Sequence, residues 1–420
     1  MQADNRLKID VVTETFLPEL NGVSRSLDRM IRGIEDRGHD VQVFRPVQSA
    51  DGQRSVRIAL DSVSGMGQPC MSQSKNHHLS MGLRMPFYRE VQVGLASPHF
   101  FRARFRKRRP DLVHVVTEGP LGLMAMIAAS SMGIPVLSDY RTHFHKYFEY
   151  YGMGKLGRWV HRYLRLFHNL TRRTLVPTAS MKSELMEFGF KRVSVIGRGV
   201  DTQAYGPHHR CDDLRKSHGI APETHIVLYA GRIAPEKNVD LAIRSFRAMK
   251  ECHPNMQMIL VGDGPRKASL QAANPDLIFT GFQSGVALSR YYASADIFLF
   301  PSVTDTFGNV VTEAAASGLA VVAFDRGAAG ELLEHEKSGW VIPGEDDSDY
   351  MAACTDLALR IGSAQSPIPE IRMRAREAAC AVGWDSIVGR LEECYYESLV
   401  RKVRFRQRIQ WRMRRVGSPL

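Results

Sequence analysis

The segment Phe298-Leu-Phe-Pro-Ser-Val-Thr-Asp305-Thr-Phe-Gly308-Asn309-Val-Val-Thr-Glu313-Ala-Ala-Ala-Ser-Gly318 decides the fold. Its apolar start predicts a buried strand, a loop carrying Asp305 follows, and a helix begins near Gly308. The first N–H groups of a helix have no partner inside it, and the helix dipole makes this end positive. A diphosphate is therefore expected at Gly308, Asn309 and Val310, where the glycine permits close approach. Glu313, more than one turn inside the helix, can accept hydrogen bonds from ribose hydroxyls.

A second loop of the same kind, Ala230-Gly-Arg232-Ile-Ala-Pro-Glu-Lys237-Asn238, follows another predicted strand and precedes another helix. In a parallel α/β sheet both loops lie at the carboxyl edge of the strands, where ligands bind. The Arg232 guanidinium and the Lys237 ammonium together suit two phosphate groups and need no metal ion. Taken singly, each loop is also compatible with an ordinary capped helix start or a solvated surface turn. Only the pair favours a diphosphate site.

The rest of the sequence divides into two series of alternating strands and helices. The first series has predicted strands at 7–12, 41–44, 112–116, 134–138 and 174–176, a helix after Gly22, a helix at 121–132, and an irregular stretch at 52–100. A linker is predicted at 205–222. The second series has strands at 225–230, 256–261, 276–279, 296–300 and 320–323, with helices at 238–251, 265–273, 286–293 and 310–317. This alternation predicts an α/β fold of two Rossmann-like domains that face a central cleft.

Composition argues against several classes of protein. No run of eighteen apolar residues occurs, so no membrane-spanning helix is predicted, and the first residues do not resemble a signal peptide. The six cysteines form no CxxC pair and have no metal-ligand spacing. They are expected to be scattered reduced thiols of a cytosolic protein, and no metal site is predicted.

The positive charge is concentrated at the end of the chain. The net charge is +12, of which residues 401–420 carry +8 without a single acid, leaving +4 for the other 400 residues. A basic segment on a nearly balanced protein suggests an anionic partner, either a phospholipid surface or a nucleic acid. Phe405, Ile409, Met413 and Val416 form an apolar stripe among the arginines, which suits a helix lying on a membrane. A disordered basic tail is the alternative.

Several motifs occur in the order seen in one enzyme family. They are Pro-x-x-Asn-Gly-Val at 18–23, Arg-Gly-Val-Asp at 198–201, Gly-Arg-x-x-Pro-Glu-Lys-Asn at 231–238, Val-Gly-Asp-Gly-Pro at 261–265, and the acidic pair Asp305 and Glu313. With them, residues 7–400 resemble the retaining glycosyltransferases of family 4, which have the GT-B architecture. Tyr140-Arg-Thr-His143-Phe and Phe167-His-Asn169 are similar to the branch of GDP-mannose-dependent mannosyltransferases and sulfoquinovosyl- or glucosyl-lipid synthases. Two departures are Asp305, where the family usually has Glu, and Asn21-Gly22, where it often has Gly-Gly.

The resemblance implies a function for each segment of the chain. It implies an acceptor-binding domain at 1–197, a nucleotide-sugar-binding domain at 198–383, an amphipathic helix at 384–400 that crosses back to the first domain, and the basic tail at 401–420. His143 would contact the transferred sugar, Asp305 would orient it, and Gly22 would contribute to the donor site. The other implied donor contacts are Arg232, Lys237, Gly308, Asn309, Val310 and Glu313.

The resemblance also implies the chemistry. The enzyme would move a hexose, with mannose favoured, from GDP-mannose or a UDP-hexose to a lipid or lipid-linked saccharide, without a cofactor or a metal ion. Its place would be the cytoplasmic face of a membrane, held there by residues 401–420.

Three other functions fit the sequence less well. A nucleic-acid-binding protein would explain the basic tail, but the sequence lacks a recognised binding module, and no nucleic acid partner is expected. A nucleotide-sugar 2-epimerase shares the architecture but needs other catalytic acids. An NAD oxidoreductase is disfavoured because no complete Gly-x-Gly-x-x-Gly follows the first strand.

Overall fold

The computed structural model describes residues 6–17, 22–47, 77–84, 92–141, 154–361, 363 and 366–399. Among these residues, one compact unit contains those up to Ile196 and those from Asp385 onward, and the other contains Gly197–Trp384. His143, Asn21 and the basic tail at 401–420 lie outside the described residues. No helix within the described ranges is long and apolar enough to cross a membrane.

The first unit is built on an eight-stranded sheet in the order β4-β3-β2-β1-β5-β6-β7-β8. All neighbouring strands are parallel except β3 and β4, which are antiparallel. The strands are β1 Lys8–Val12, β2 Asp40–Pro46, β3 His77–Arg84, β4 Gln92–Leu95, β5 Leu112–Val115, β6 Val136–Asp139, β7 Arg173–Val176 and β8 Val193–Val195. The helices are α1 Gly22–Asp36, α2 Pro98–Arg108, α3 Pro120–Ser131, α4 Gly154–Leu170 and α5 Ala179–Glu187.

The second unit has a six-stranded parallel sheet in the order β11-β10-β9-β12-β13-β14. The strands are β9 His225–Ala230, β10 Met256–Val261, β11 Ile278–Gly281, β12 Ile297–Phe300, β13 Ala320–Phe324 and β14 Trp340–Ile342. The helices are α6 Asp212–Ser217, α7 Val239–Cys252, α8 Lys267–Ala273, α9 Gly285–Ser294, α10 Asn309–Ala316, α11 Gly327–Leu332, α12 Asp347–Arg360 and α13 Ile368–Ala381. Each face of this sheet packs on its own apolar cluster. Every residue of β12 and β13 is therefore buried. The chain therefore has two Rossmann-like α/β domains.

A final helix at 384–399, labelled α14, packs on the first unit. Ile387, Leu391 and Tyr395 are buried on one face of this helix, as its amphipathic pattern predicts. Arg37, just beyond α1, forms ion pairs with Asp385 at 2.7 Å and Glu392 at 2.9 Å. The chain thus leaves the first unit at residue 196 and returns to it at 385.

Two predictions about the connecting segments were wrong. The stretch 52–100 was predicted to be irregular, but its described part contains β3, β4 and the start of α2. The predicted linker at 205–222 contains a short 3-10 helix at Pro207–His209 and helix α6. Both errors arise because polar and histidine-rich residues occupy elements whose positions are set by tertiary contacts. His78, for example, stacks on Phe44 with ring centroids 4.6 Å apart.

Candidate active site

In the second sheet, strands β10 and β11 lie on one side of β9, and β12, β13 and β14 lie on the other. The strand order thus reverses between β9 and β12, which makes this position the topological switch point of the sheet. Ligands of parallel α/β folds bind at such points, at the carboxyl ends of the strands. The loop carrying Arg232 and Lys237 follows β9, and the loop carrying Asp305 follows β12. The Thr304 hydroxyl joins the two loops by donating a hydrogen bond to the Glu236 carbonyl at 3.0 Å. The structure therefore brings the two predicted loops together.

Lys237 and Asp305 form a direct ion pair, with 2.9 Å between Nζ and Oδ1. Asp305 also accepts a hydrogen bond from the Ser302 hydroxyl at 2.6 Å. Burial raises the pKa of Asp305, but the Lys237 charge and these hydrogen bonds outweigh it and hold the pKa below its usual value. The carboxylate is therefore charged at neutral pH, and Lys237 compensates its charge.

Helix α10 begins beside this pair. Gly308 precedes its first residue and has φ of 80°, in the left-handed region that favours glycine. A side chain there would also meet the Phe300 ring at 3.0 Å. Asn309 and Val310 are the first residues of the helix and are partly exposed, so this helix start is accessible, as the predicted anion site requires.

Arg198 is a cation at this helix start to which sequence reasoning assigned no role. Its Nη1 lies 3.4 Å from Asn309 Oδ1, and its guanidinium lies 5.7 Å from the centre of the Phe307 ring. The Arg198 charge also helps to lower the pKa of Asp305. Its position in the Arg-Gly-Val-Asp motif was a signal, but the motif alone did not show that Arg198 reaches α10.

Arg232 lies on the same loop as Lys237 and is partly exposed. Its guanidinium is 3.5 Å from Glu236, a buried carboxylate of the same turn. The turn after β10 holds this loop in place, because the Ile233 N–H donates a hydrogen bond to the Asp263 carbonyl at 2.9 Å. Gly262 is required in that turn, since a side chain at its φ of 147° would lie 1.8 Å from the Gly231 carbonyl oxygen. Val-Gly-Asp-Gly-Pro thus connects a strand to a helix, as predicted.

Glu313 lies one turn into α10 and accepts a hydrogen bond from the Tyr292 hydroxyl at 3.0 Å. Tyr292 is fully buried on α9, so it fixes the direction of the carboxylate. Tyr292 was not predicted to take part, because nothing in the sequence shows that α9 packs beside α10. Glu313 itself is partly exposed.

The first sheet has its own switch point, between β1 and β5. Two carboxylates that sequence reasoning missed lie at this edge. Glu14 accepts a hydrogen bond from the Leu121 N–H at the start of α3, at 3.1 Å, and burial raises its pKa to about 7. Glu118 pairs with buried His168 at 3.1 Å. Of the residues predicted for this unit, Gly22 is the first residue of α1, and His143 lies outside the described residues.

No group of three or more His, Cys, Asp or Glu side chains that could hold a metal ion occurs in the described part of the chain. The stretch 102–109 contains six cations, namely Arg102, Arg104, Arg106, Lys107, Arg108 and Arg109. Arg108 is largely buried and pairs with Asp10 at 2.6 Å and Asp40 at 3.0 Å, so this cation is turned toward the protein. Arg106, Lys107 and Arg109 are exposed.

Comparison with known proteins identifies the family. The model described as Glycosyltransferase Family 4 matches residues 20–204, and the model described as Glycosyl transferases group 1 matches residues 224–359. A GDP-mannose-dependent alpha-mannosyltransferase of Mycobacterium tuberculosis is 32% identical over 338 residues, which cover 80% of this chain and 84% of that protein. The chain belongs to glycosyltransferase family 4. It is a hexosyltransferase, and the resemblance drawn from its motifs is confirmed.

Other relatives place this glycosyltransferase in the same branch. Sulfoquinovosyl transferase SQD2 of Arabidopsis thaliana is 30% identical over 261 residues, covering 60% of this chain and 50% of that protein. Among solved structures, the sucrose-phosphate synthase of Thermosynechococcus elongatus has a TM-score of 0.70 at 17% identity, covering 93% of this chain and 99% of that one. Anabaena HepE in complex with UDP and glucose has a TM-score of 0.67 at 19% identity, covering 93% and 100%. These structures confirm the GT-B fold of the glycosyltransferase.

Proposed function

We propose that this glycosyltransferase moves a hexose from a nucleotide-diphosphate sugar to a lipid or lipid-linked saccharide, with retention of anomeric configuration and without a metal ion. The observation that carries the proposal is the Lys237–Asp305 pair beside the N-terminus of α10. Because Lys237 compensates the Asp305 charge, a carboxylate that orients a sugar can share one site with a diphosphate.

In this proposal the negative charge that develops on the leaving diphosphate meets donors that are already in place. These are Arg232, Lys237 and the N–H groups at the start of α10. Glu236 and Tyr292 hold Arg232 and Glu313 in position, and Glu313 binds the donor ribose. No separate carboxylate base is needed if the acceptor hydroxyl passes its proton to the departing phosphate. His143 would contact the transferred sugar.

GDP-mannose is the first choice of donor, because the mannosyltransferase relatives carry that donor in their names and include a Mycolicibacterium smegmatis protein at 33% identity over 338 residues. A UDP-hexose, UDP-glucose first, is the second choice. An alpha-monoglucosyldiacylglycerol synthase of Streptococcus pneumoniae, 25% identical over 360 residues, supports a lipid acceptor. The basic segment 401–420 would hold the enzyme at the cytoplasmic face of the membrane. A binding screen of GDP, UDP and ADP, followed by sugar variants of the best nucleotide, decides the donor.

The arginine and the lysine test the donor site. Losing one preorganised donor costs about 2.7–4 kcal/mol of barrier, so Arg232→Ala or Lys237→Ala should lower turnover about a hundredfold or more at saturating donor. The matched control is Arg290→Ala, which removes an exposed arginine of α9 and should leave turnover unchanged. Near-full turnover of Arg232→Ala or Lys237→Ala would show that the diphosphate binds elsewhere.

The stereochemistry and metal dependence of the reaction are tested on the unmodified enzyme. NMR of the product linkage should show the same anomeric configuration as in the donor, and EDTA should change the rate little. An inverted anomer or strict metal dependence would overturn the mechanism. Incubation without an acceptor should release no epimerised sugar, which separates this function from that of a 2-epimerase.

A further inference from the structure

Helix α4, Gly154–Leu170, presents an unusual surface to solvent. Three large apolar side chains are strongly exposed: Trp159 by 69%, Leu166 by 62% and Leu170 by 62%. Together with Tyr163 they follow the spacing i, i+4, i+7 and i+11, which places them on one face of a helix. The opposite face already packs on the protein through buried residues, including Leu164, Phe167 and His168. The exposed apolar strip is therefore additional to the face that the fold requires.

Cations accompany this strip. Arg158, Arg162 and Arg165 are exposed along its side, and the sequence of 154–170 contains no Asp or Glu. The Arg162 guanidinium lies 5.6 Å from the centre of the Trp159 ring. An ordinary solvated helix face mixes charges of both signs, whereas this one combines arginines with large apolar groups. That combination is typical of helices that lie in a membrane interface.

The surface continues beyond the end of α4. Asn169 accepts a hydrogen bond from the Lys191 N–H at 2.7 Å and donates one to the Gly189 carbonyl at 3.0 Å. The turn that it holds has an exposed Phe188, and Lys191 and Arg192 are exposed beside it. The turn thus adds one apolar group and two further cations next to the arginines of α4.

One residue of this exposed strip, Tyr163, also links α4 to the carboxyl edge of the first sheet. The Tyr163 hydroxyl donates a hydrogen bond to the carbonyl of Glu118, in the loop after β5. This loop borders the switch point between β1 and β5, where a ligand of this unit is expected. A lipid surface in contact with α4 would therefore lie close to that edge.

We propose that α4 and the turn at 188–192 dock on an anionic phospholipid bilayer. Charge complementarity selects this partner, since anionic headgroups match the cations and the acyl boundary accepts Trp159, Leu166 and Leu170. A second copy of the chain fits less well, because a two-fold contact through this face brings the same arginines opposite one another. A contribution of this docking to catalysis rests on the lipid acceptor of the proposed function. The docking itself requires no acceptor.

Vesicle binding tests the docking surface in the full-length chain. Trp159→Ser with Leu166→Ser removes two apolar groups, and Arg158→Gln, Arg162→Gln and Arg165→Gln together remove three charges. The matched control is Leu359→Ser with Met373→Ser, two residues of the second unit that are 65% and 55% exposed. Each protein is floated with vesicles of phosphatidylcholine alone and of phosphatidylcholine mixed with phosphatidylglycerol.

Both α4 variants should partition onto the mixed vesicles about tenfold less than the unmodified chain, and the control should not change. The tail is the same in all of them, so it cannot account for a difference. Brominated phosphatidylcholine should quench the tryptophan fluorescence of the unmodified chain more than that of Trp159→Phe. Unchanged partitioning and quenching in the α4 variants would overturn the proposal. So would variants that lose only self-association of the chain, because the strip would then be a contact between copies.

A soluble saccharide acceptor separates this failure from failure of the proposed function. If the α4 variants bind vesicles normally while the enzyme still glycosylates lipid, the docking surface is wrong and the proposed function stands. If the α4 variants lose vesicle binding but the unmodified enzyme glycosylates only the soluble saccharide, the docking surface stands and the lipid acceptor is wrong.

Discussion

Asp305 and Glu313 belong to the same loop and helix, but their surroundings differ. Asp305 pairs with Lys237, whereas Glu313 is held by the Tyr292 hydroxyl. We expect Glu313→Gln to weaken binding of the bare nucleoside diphosphate, because an amide replaces a charged acceptor of ribose hydroxyls. We expect Asp305→Ala to reduce sugar transfer while that binding stays nearly intact. Calorimetry with the nucleotide and rates of transfer measure the two effects, and the reverse pattern would contradict these roles.

Glu14 provides a test that does not depend on the substrate. Burial raises its pKa to about 7, from an ordinary value of 4.5, and the charge of nearby Glu118 acts in the same direction. The folded state therefore holds the proton more tightly than the unfolded state, and stability falls as pH rises from about 5 to 8. Glu14→Gln removes this titration. Its free energy of unfolding should gain about 2–3 kcal/mol relative to the unmodified chain over that range. Chemical denaturation at both pH values measures the gain, and a difference independent of pH would refute it.

The residues of the candidate site were partly predictable from the sequence. Arg232, Lys237 and Asp305 follow predicted strands of one α/β series, so their position at a common sheet edge could be inferred from the sequence. The contact of 2.9 Å between Lys237 and Asp305 could not, because it depends on β9 and β12 being neighbours. The roles of these residues in binding and transfer stay predictions.

Among the elements, α14 offers the sharpest test. Leu391 is buried between this helix and the first sheet, in a cluster that includes Ile9, Leu27 and Tyr395. Leu391→Ala should destabilise the first unit by about 2–5 kcal/mol through lost contacts and a residual cavity. Leu359→Ala, at an exposed position of α12, should change stability by less than about 0.5 kcal/mol. Thermal unfolding measures both, and equal effects would show that α14 contributes no packing. Nucleotide binding by the second unit at low temperature should survive in both variants.

Element prediction succeeded where the apolar pattern is strong. Strands β9 and β10 occupy the predicted residues 225–230 and 256–261. Strand β3, with the sequence His-His-Leu-Ser-Met-Gly-Leu-Arg, has no such pattern, and it forms because it pairs with β2. Strand β14 and helices α11–α13 were not predicted, since the segments that follow β13 are short or mixed in polarity.

At the scale of the whole molecule, the uneven distribution of charge leads to a further prediction. Residues 401–420 carry +8 of the net +12. Each cation contributes about 1 kcal/mol near an anionic leaflet, so truncation after Leu399 should sharply reduce flotation with anionic vesicles and activity on a vesicle-embedded acceptor. Binding of the nucleotide should not change. If the truncated chain floats as the full-length chain does, the tail has no such role.

The return of the chain to its first unit has a consequence for biosynthesis. Residues 197–384 are contiguous, so a ribosome delivers the whole second unit before it delivers α14. Until then, α1 lacks the helix that covers it, since Val388 of α14 packs against Gly33. Nascent domains fold as units as they emerge, so the half translated first is the last to be completed. A released chain that ends near residue 384 would have a complete second unit joined to an open first one, which is a substrate for chaperones and proteases.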